Sequence, residues 1–206
     1  MNDLPARLLV VTDRKLVPRP VIETVRAAIN GGATWIWLRD RDLQAKERED
    51  LAAQLIAMMA GRACLTIGGD VEFALRIGAR GVHLPAGSDT LAARALLGPR
   101  VLIGVSAHGR RDIDNAKAAG ADYVTLSPIF PSASKPGYGP ALGVAGLSSA
   151  AACGLPILAL GGVTALNAKA CLEAGAAGIA VMGGVCAAPD PHSAARAICE
   201  AIAPAG

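Results

Sequence analysis

The stretch Gly32-Ala33-Thr34-Trp35-Ile36-Trp37-Leu38 decides the fold, because its pattern occurs four times along the chain. In each copy a helical segment ends in Gly-Ala, and an apolar strand begins two residues later. Glycine just past a helix end adopts the left-handed conformation that stops the helix, and alanine keeps the turn small against a sheet. The pairs are Gly32-Ala33, Gly78-Ala79, Gly120-Ala121 and Gly175-Ala176, and the strands they predict are Trp35–Leu38, Gly81–Leu84, Tyr123–Leu126 and Gly178–Val181.

Four further apolar runs lie between these strands, and each is followed by glycine or polar residues and then by a helical pattern. Eight strands that alternate with helices in 206 residues predict an α/β protein, a single-domain (β/α)₈ TIM barrel over residues 1–206. A doubly wound open sheet is the alternative, although it usually has fewer strands and would not show so regular a repeat. The four further runs are Leu8–Thr12, Cys64–Ile67, Val101–Val105 and Pro156–Leu160.

The composition, with 52% hydrophobic and 18% charged residues, is typical of a soluble domain. No apolar run is long enough to span a bilayer, and Met1–Arg7 lacks the apolar core of a signal peptide, so we expect a cytoplasmic protein without a membrane partner. A net charge of +3 and 3% aromatic residues argue against nucleic acid as a partner. The charged segment Gln44–Asp50 is predicted to be the solvated face of a helix whose Leu51, Leu55 and Ile56 point inward.

The cysteines are scattered through apolar segments and form no Cys-x-x-Cys pair. This pattern predicts reduced, buried thiols and disfavours disulfides or a zinc site. The five are Cys64, Cys153, Cys171, Cys186 and Cys199.

The loops after the last two strands have almost no side chains, and a barrel places its chemistry at these carboxyl ends. They read Gly161-Gly162-Val163-Thr164 and Met182-Gly183-Gly184, and each opens a helix. Backbone amides in such loops can approach a phosphate closely, and the helix amino terminus adds partial positive charge. The loops therefore predict a monophosphate site. The alternative is that the glycines only permit tight turns.

Three basic residues predict a second anion site at the same mouth. Arg39, Arg41 and Lys135 each abut an apolar strand or the loop that follows one. Arginine binds phosphate oxygens in a bidentate manner and lysine adds a mobile point charge, so together they suit a diphosphate. The alternative is that they are surface charges at exposed loop ends.

Six segments in this order and spacing resemble the thiamine phosphate synthase family and its close relative, the thiazole tautomerase, which are small (β/α)₈ barrels. The resemblance covers nearly the whole chain. The run from Ile129 to Lys135 is its most specific part. The segments are Leu9–Asp13, Leu38–Arg41, Gly81–Leu84, Gly104–Ser106, Ser127–Lys135 and Leu160–Thr164.

The resemblance implies a coupling of hydroxymethylpyrimidine diphosphate with thiazole phosphate that gives thiamine phosphate and diphosphate, with help from Mg²⁺. It also implies phosphorylated small molecules as partners and a homodimer. By position, Arg39, Arg41, Ser106 and Lys135 would hold the diphosphate. The remaining positions are Ser132 and Ser134 for a neighbouring hydroxyl role and Gly161, Gly162 and Gly184 for the thiazole phosphate.

The chain departs from the family's pattern at the metal ligands. The family has Asn-Asp where this chain has Gly68-Gly69, and its second acidic ligand aligns with Ser88. Mg²⁺ prefers hard oxygen ligands, usually one or two carboxylates with phosphate oxygens. Either Asp70 and Asp89 have taken over the metal from one position further on, or the Mg²⁺ site is lost. Both aspartates are also placed to cap the helices that follow them.

Trp37 stands where the family usually has glutamine. Strand alternation places it on the same side as Trp35 and Arg39, which predicts that its indole faces the mouth and narrows the pyrimidine pocket. The alternative is that Trp37 points outward to the helices as part of the core.

Two other functions remain open beside the synthase. A thiazole tautomerase needs a proton carrier, for which His83 and His108 at strand ends are the candidates. However, the tautomerase histidine after the sixth strand aligns with Pro128, as in the synthase. A regulatory barrel that binds a phosphorylated ligand without catalysis is the third possibility.

Overall fold

The fold of this chain is a closed barrel of parallel strands. The structure, a computed structural model, describes residues 3–16, 18–132 and 139–204. The eight strands pair in chain order and β8 pairs with β1, which confirms the TIM barrel and excludes the open sheet. The strands are β1 Leu8–Val11, β2 Trp35–Leu38, β3 Cys64–Gly68, β4 Gly81–Leu84, β5 Leu102–Ala107, β6 Tyr123–Leu126, β7 Ile157–Leu160 and β8 Gly178–Val181.

Helices connect the strands and surround the barrel. None of the helices in the described ranges is long and apolar enough to cross a membrane. They are α1 Val21–Asn30, α2 Ala45–Met59, α3 Val71–Arg76, α4 Thr90–Leu97, α5 Arg110–Ala118, α6 Gly143–Ala151, α7 Ala168–Glu173, α8 Gly183–Cys186 and α9 Pro191–Ala201.

The four Gly-Ala pairs end α1, α3, α5 and α7 as predicted. Gly32 has a φ of +104°, and the other three glycines are also left-handed. The Gly32 amide donates to Ile29 O at 3.0 Å and the Ala33 amide to Ala28 O at 3.1 Å, and the same two bonds recur at each pair. These bonds satisfy carbonyls at the helix end, and the buried alanine leads the chain into the next strand.

Most of the charged segment Gln44–Asp50 is exposed as predicted, and Arg48 is the exception. Arg48 is only 7% exposed, because its guanidinium reaches Asp70 Oδ2 at 3.0 Å and Gly68 O at 2.8 Å. The inward stripe of α2 consists of Arg48, Ala52, Leu55 and Met59. Ile56 lies outside this stripe and is 40% exposed, so its predicted inward direction is wrong. A long charged side chain can belong to the buried face of a helix when its charged end finds hydrogen-bond partners.

The cysteines contribute to packing. All five are free; Cys153, Cys171 and Cys186 are buried, whereas Cys64 and Cys199 are partly exposed. This agrees with the predicted thiols, except that two of them are only half-buried.

Candidate active site

Two adjoining cavities open at the carboxyl ends of the strands. They share Trp37, Arg39, Pro85 and Ser106 as a common wall. The larger, of about 690 Å³, is bordered by the loops after β7 and β8 and is called the glycine chamber. The smaller, of about 410 Å³, is bordered by the loops after β1 to β3 and is called the cationic chamber. One mouth thus offers two compartments of different chemistry.

The predicted phosphate loops line the glycine chamber. Gly161 and Gly162 have φ values of +92° and +63°, so they do form tight left-handed turns. They also lie against the loop after β6, since a Cβ on Gly162 would overlap Pro131 O and lie 2.7 Å from Phe130 Cβ. The tight turns that the sequence offered as an alternative are thus present, the same glycines border the chamber, and phosphate binding by these loops stays a prediction.

Backbone amides are the polar groups that these loops offer. Gly183 and Gly184 begin α8, and the first two amides of a helix have no acceptor within it. The Thr164 amide instead donates to Asn167 Oδ1 at 2.8 Å. We therefore place the amide donors of this chamber at the start of α8.

The cationic chamber contains Arg39 and Arg41, as predicted, and also Lys15, which the sequence analysis missed. Arg39 Nη1 lies 3.0 Å from Asp13 Oδ2. Lys15 Nζ lies 2.8 Å from Asp42 Oδ2, and this hydrogen bond lowers the pKa of Asp42. The signal that could have found Lys15 is its place in the polar run directly after β1.

A buried carboxylate ties the first two strand ends together. Asp40 is 4% exposed and accepts hydrogen bonds from the Thr12 hydroxyl and, at 2.6 Å, from the Arg14 amide. Thr12 also accepts from the Arg39 amide at 3.1 Å. Asp40 therefore holds the backbone between Arg39 and Arg41 in place.

His83 forms the floor beneath the shared wall. Its Nδ1 lies 3.0 Å from Tyr123 Oη, and its Nε2 lies 3.2 Å from both Ser106 Oγ and Thr125 Oγ1. The Trp37 ring lies on it at a centroid distance of 3.9 Å. Burial lowers the pKa of His83 to about 3, so the ring is neutral near pH 7. Through these contacts His83 fixes the positions of Ser106 and Trp37.

Trp37 faces the chambers, as strand alternation predicts. Its side chain is 7% exposed, borders both cavities, and belongs with Trp35 to the cluster inside the barrel. Trp35 Nε1 donates to Thr66 Oγ1 at 2.9 Å, whereas Trp37 Nε1 has no hydrogen-bond partner among the described residues.

The remaining predicted residues are distributed as follows. Ser106 lies in the shared wall, and Ser132 and His108 line the glycine chamber. His108 is exposed, and its Nδ1 lies 2.9 Å from Ser127 O, so that nitrogen carries the proton. Ser134 and Lys135 lie outside the described residues.

The residues predicted to bind Mg²⁺ have other partners. Asp70 Oδ1 accepts from the Phe73 amide and caps α3, and its Oδ2 pairs with Arg48. Asp89 caps α4 through the Ala92 amide, and neither aspartate borders a chamber. Within the described part of the chain, no three His, Cys, Asp or Glu side chains are placed to hold a metal ion. These residues do not fit a preformed Mg²⁺ site, and Mg²⁺ ligation by Asp70 and Asp89 stays a prediction.

Known proteins are similar in sequence to this chain over most of its length. It is 38% identical to thiamine-phosphate synthase from Roseiflexus castenholzii, over 94% of this chain and 87% of that protein. It is also 38% identical to the thiamine-phosphate synthase of Azorhizobium caulinodans, over 93% of this chain and 92% of the relative.

Solved structures share the fold. Thiamine phosphate pyrophosphorylase from Pyrococcus furiosus superimposes with a TM-score of 0.84 at 29% identity, covering 95% of this chain and 94% of the other. Residues 8–185 also match the family model described as thiamine monophosphate synthase. This match spans every strand of the barrel, and the chain therefore belongs to the thiamine monophosphate synthase family.

Proposed function

We propose that this protein is a transferase that couples hydroxymethylpyrimidine diphosphate with thiazole phosphate to give thiamine phosphate and diphosphate. The observation that carries this proposal is the pair of chambers with one common wall. Two anionic groups can occupy separate compartments while the organic rings meet at Trp37 and Ser106. Relatives named thiamine-phosphate synthase support the same reaction.

The chambers differ in the anion that suits them. The cationic chamber provides guanidinium forks from Arg39 and Arg41 and a hydroxyl from Ser106, which suit the oxygens of a diphosphate. The glycine chamber provides bare backbone and the amides at the start of α8, which suit one phosphate group. In this assignment Lys135 would add a further charge at the diphosphate, whereas Ser132, which lines the glycine chamber, would offer its hydroxyl on the side of the thiazole phosphate.

The bond that breaks joins the methylene carbon of the pyrimidine to an oxygen of the diphosphate. Both electrons leave with that oxygen, and the lone pair of the thiazole nitrogen then forms the new carbon–nitrogen bond. Positive side chains beside the leaving group stabilise the negative charge that develops on it. Holding the two rings in the orientation for reaction increases the rate further.

This reaction needs no proton transfer, which agrees with the properties of His83 at the floor of the site. Buried His83 is neutral near pH 7 and makes its hydrogen bonds to hydroxyl groups. A thiazole tautomerase would need a group that gains and loses a proton near neutral pH. The depressed pKa of His83 therefore argues against this residue as the proton carrier of a tautomerase. A cytoplasmic location and a homodimer stay predictions.

The test supplies the purified protein with both substrates and follows thiamine phosphate and diphosphate by chromatography. We expect equal amounts of the two products, and none when either substrate is omitted. Rearrangement of the thiazole alone would indicate a tautomerase. Binding of thiazole phosphate without any product would indicate a regulatory barrel, and either result would contradict the proposal.

A further inference from the structure

We infer that the cationic chamber binds the diphosphate through the Arg41 guanidinium and the Trp37 indole N–H, without a bridging divalent metal ion. This inference rests on the proposed function, since it concerns how the same site neutralises its anion. It follows from three features of the loops after β2 and β3.

The first feature is the space beside Gly69. This residue has a φ of +63°, and a Cβ built on it would lie 2.7 Å from Arg41 Cζ and 2.9 Å from Arg41 Nε. The guanidinium thus fills the volume into which a side chain at position 69 would extend. A positive charge stands where the resembled family carries a carboxylate.

The second feature is the indole beside Gly68. A Cβ on Gly68 would lie 2.9 Å from Trp37 Nε1, so the absence of a side chain makes room for the ring. That nitrogen is buried and lacks a hydrogen-bond partner among the described residues, and Trp37 borders the cationic chamber. A buried donor without an acceptor costs free energy, and an anionic oxygen in the chamber would satisfy it.

The third feature is the engagement of the carboxylates. Asp13 pairs with Arg39, Asp42 pairs with Lys15, and Asp40 accepts from Thr12 and Arg14. No ion pair among the described residues includes Arg41. Magnesium in phosphate sites is usually held by one or two carboxylates together with phosphate oxygens, whereas every carboxylate that borders this chamber already has a partner in the chain and Arg41 does not pair with any of them.

In this arrangement the protein contacts the diphosphate directly, without a metal ion between them. Arginine keeps its charge at all physiological pH values and binds phosphate oxygens with two parallel N–H groups. Diphosphate should therefore bind to the chain itself, and chelators should not release it.

The test titrates inorganic diphosphate into the full chain by calorimetry, once with EDTA and once with enough Mg²⁺ to saturate the diphosphate. We expect binding in EDTA, with a Kd within about threefold of the Mg²⁺ value. Binding only with Mg²⁺, or no binding in either solution, would overturn the inference. Because no turnover is required, intact diphosphate binding in a protein that makes no thiamine phosphate would refute the proposed function alone.

Two variants locate the binding groups. Arg41→Met should weaken diphosphate binding in EDTA about tenfold, as expected for a lost charged contact. The matched control Arg196→Met, whose exposed side chain on α9 pairs with Glu200, should bind like the unaltered chain. Trp37→Phe keeps a ring over His83 but removes the N–H, and should weaken binding a few-fold. Unchanged affinity in both Arg41→Met and Trp37→Phe would contradict the assignment, with circular dichroism to verify folding.

Discussion

The glycine chamber and the cationic chamber share a wall but differ in how closely they follow the pattern of the resembled family. Around the glycine chamber, the segments from Ser127 to Ser132 and from Leu160 to Thr164 keep that pattern, and four glycines contribute to its wall. Around the cationic chamber, Gly68, Gly69 and Trp37 depart from it, and the Trp37 indole and the Arg41 guanidinium lie beside the two glycines. The half of the site that offers backbone groups retains the family's sequence pattern. The half that offers charged side chains differs from it at several neighbouring positions.

The largest effect should follow from adding a methyl group to the glycine chamber. Gly162→Ala would place a Cβ against Phe130 and Pro131 in a left-handed backbone, and should cost roughly 2–4 kcal/mol in the free energy of unfolding. Thiazole phosphate should bind at least tenfold more weakly, as measured by calorimetry.

Gly154→Ala is the matched control for this change. Gly154 is also left-handed, with a φ of +74°, but lies outside both chambers and has only Lys117 Nζ near its Cβ position, at 3.4 Å. It should cost about 1 kcal/mol and leave binding unchanged. Equal losses in the two variants would mean that the loop contact at Gly162 has no special importance.

The shared floor gives a prediction about pH. The pKa of His83 is about 3 in the folded chain and about 6.5 when unfolded, so the unfolded state binds an extra proton between these values. Stability should therefore fall as the pH drops below about 6.5, by up to about 1.4 kcal/mol per pH unit from this group. Above pH 6.5 the group should have no effect on the slope.

His83→Gln isolates this contribution. Glutamine can still form hydrogen bonds but does not titrate, so the free energy of unfolding should depend less steeply on pH by about one proton between pH 6 and pH 4. Urea unfolding at several pH values measures the slope. The same slope in both proteins would show that His83 is not a buried neutral group.

A charge exchange at position 69 sharpens the comparison further. Gly69→Asp would place a carboxylate beside the Arg41 guanidinium and should weaken diphosphate binding in EDTA about tenfold, because the two charges attract at close range. Gly69→Asn has the same shape without the charge, and should weaken binding only a few-fold. If both variants bind equally, Arg41 does not hold the anion by its charge.

The smallest effect is expected at Asp89. Because Asp89 caps α4, its replacement by alanine should lower the free energy of unfolding by about 1 kcal/mol, and its replacement by asparagine should hardly change it. Activity should be unaltered in both variants, since Asp89 borders neither chamber. Thermal unfolding and a rate assay measure the two quantities. A large loss of activity in Asp89→Asn would instead assign this carboxylate to a metal.

The strands were predictable because Gly-Ala turns and apolar runs are local signals. Alternation placed Trp37 on the same side of β2 as Arg39, and the expected position of Arg39 at the mouth then put both residues on the inner face. The contacts of Arg41 and Arg48 were not predictable, because they depend on how far a long side chain reaches across neighbouring strands. Arg48 lies on a charged helical turn but is buried against Gly68 O and Asp70. The sequence identified Trp37, Arg39 and Arg41 as chamber residues, but it missed Lys15 and placed Asp70 and Asp89 in the site although they cap helices outside it.

The most direct test of the account is the initial rate of thiamine phosphate formation by the purified chain with EDTA, compared with the rate with Mg²⁺. The account predicts product in both solutions, at rates within about an order of magnitude, because Arg41 and Trp37 hold the diphosphate. Product that appears only with Mg²⁺ would contradict metal-independent binding, and no product in either solution would contradict the synthase function.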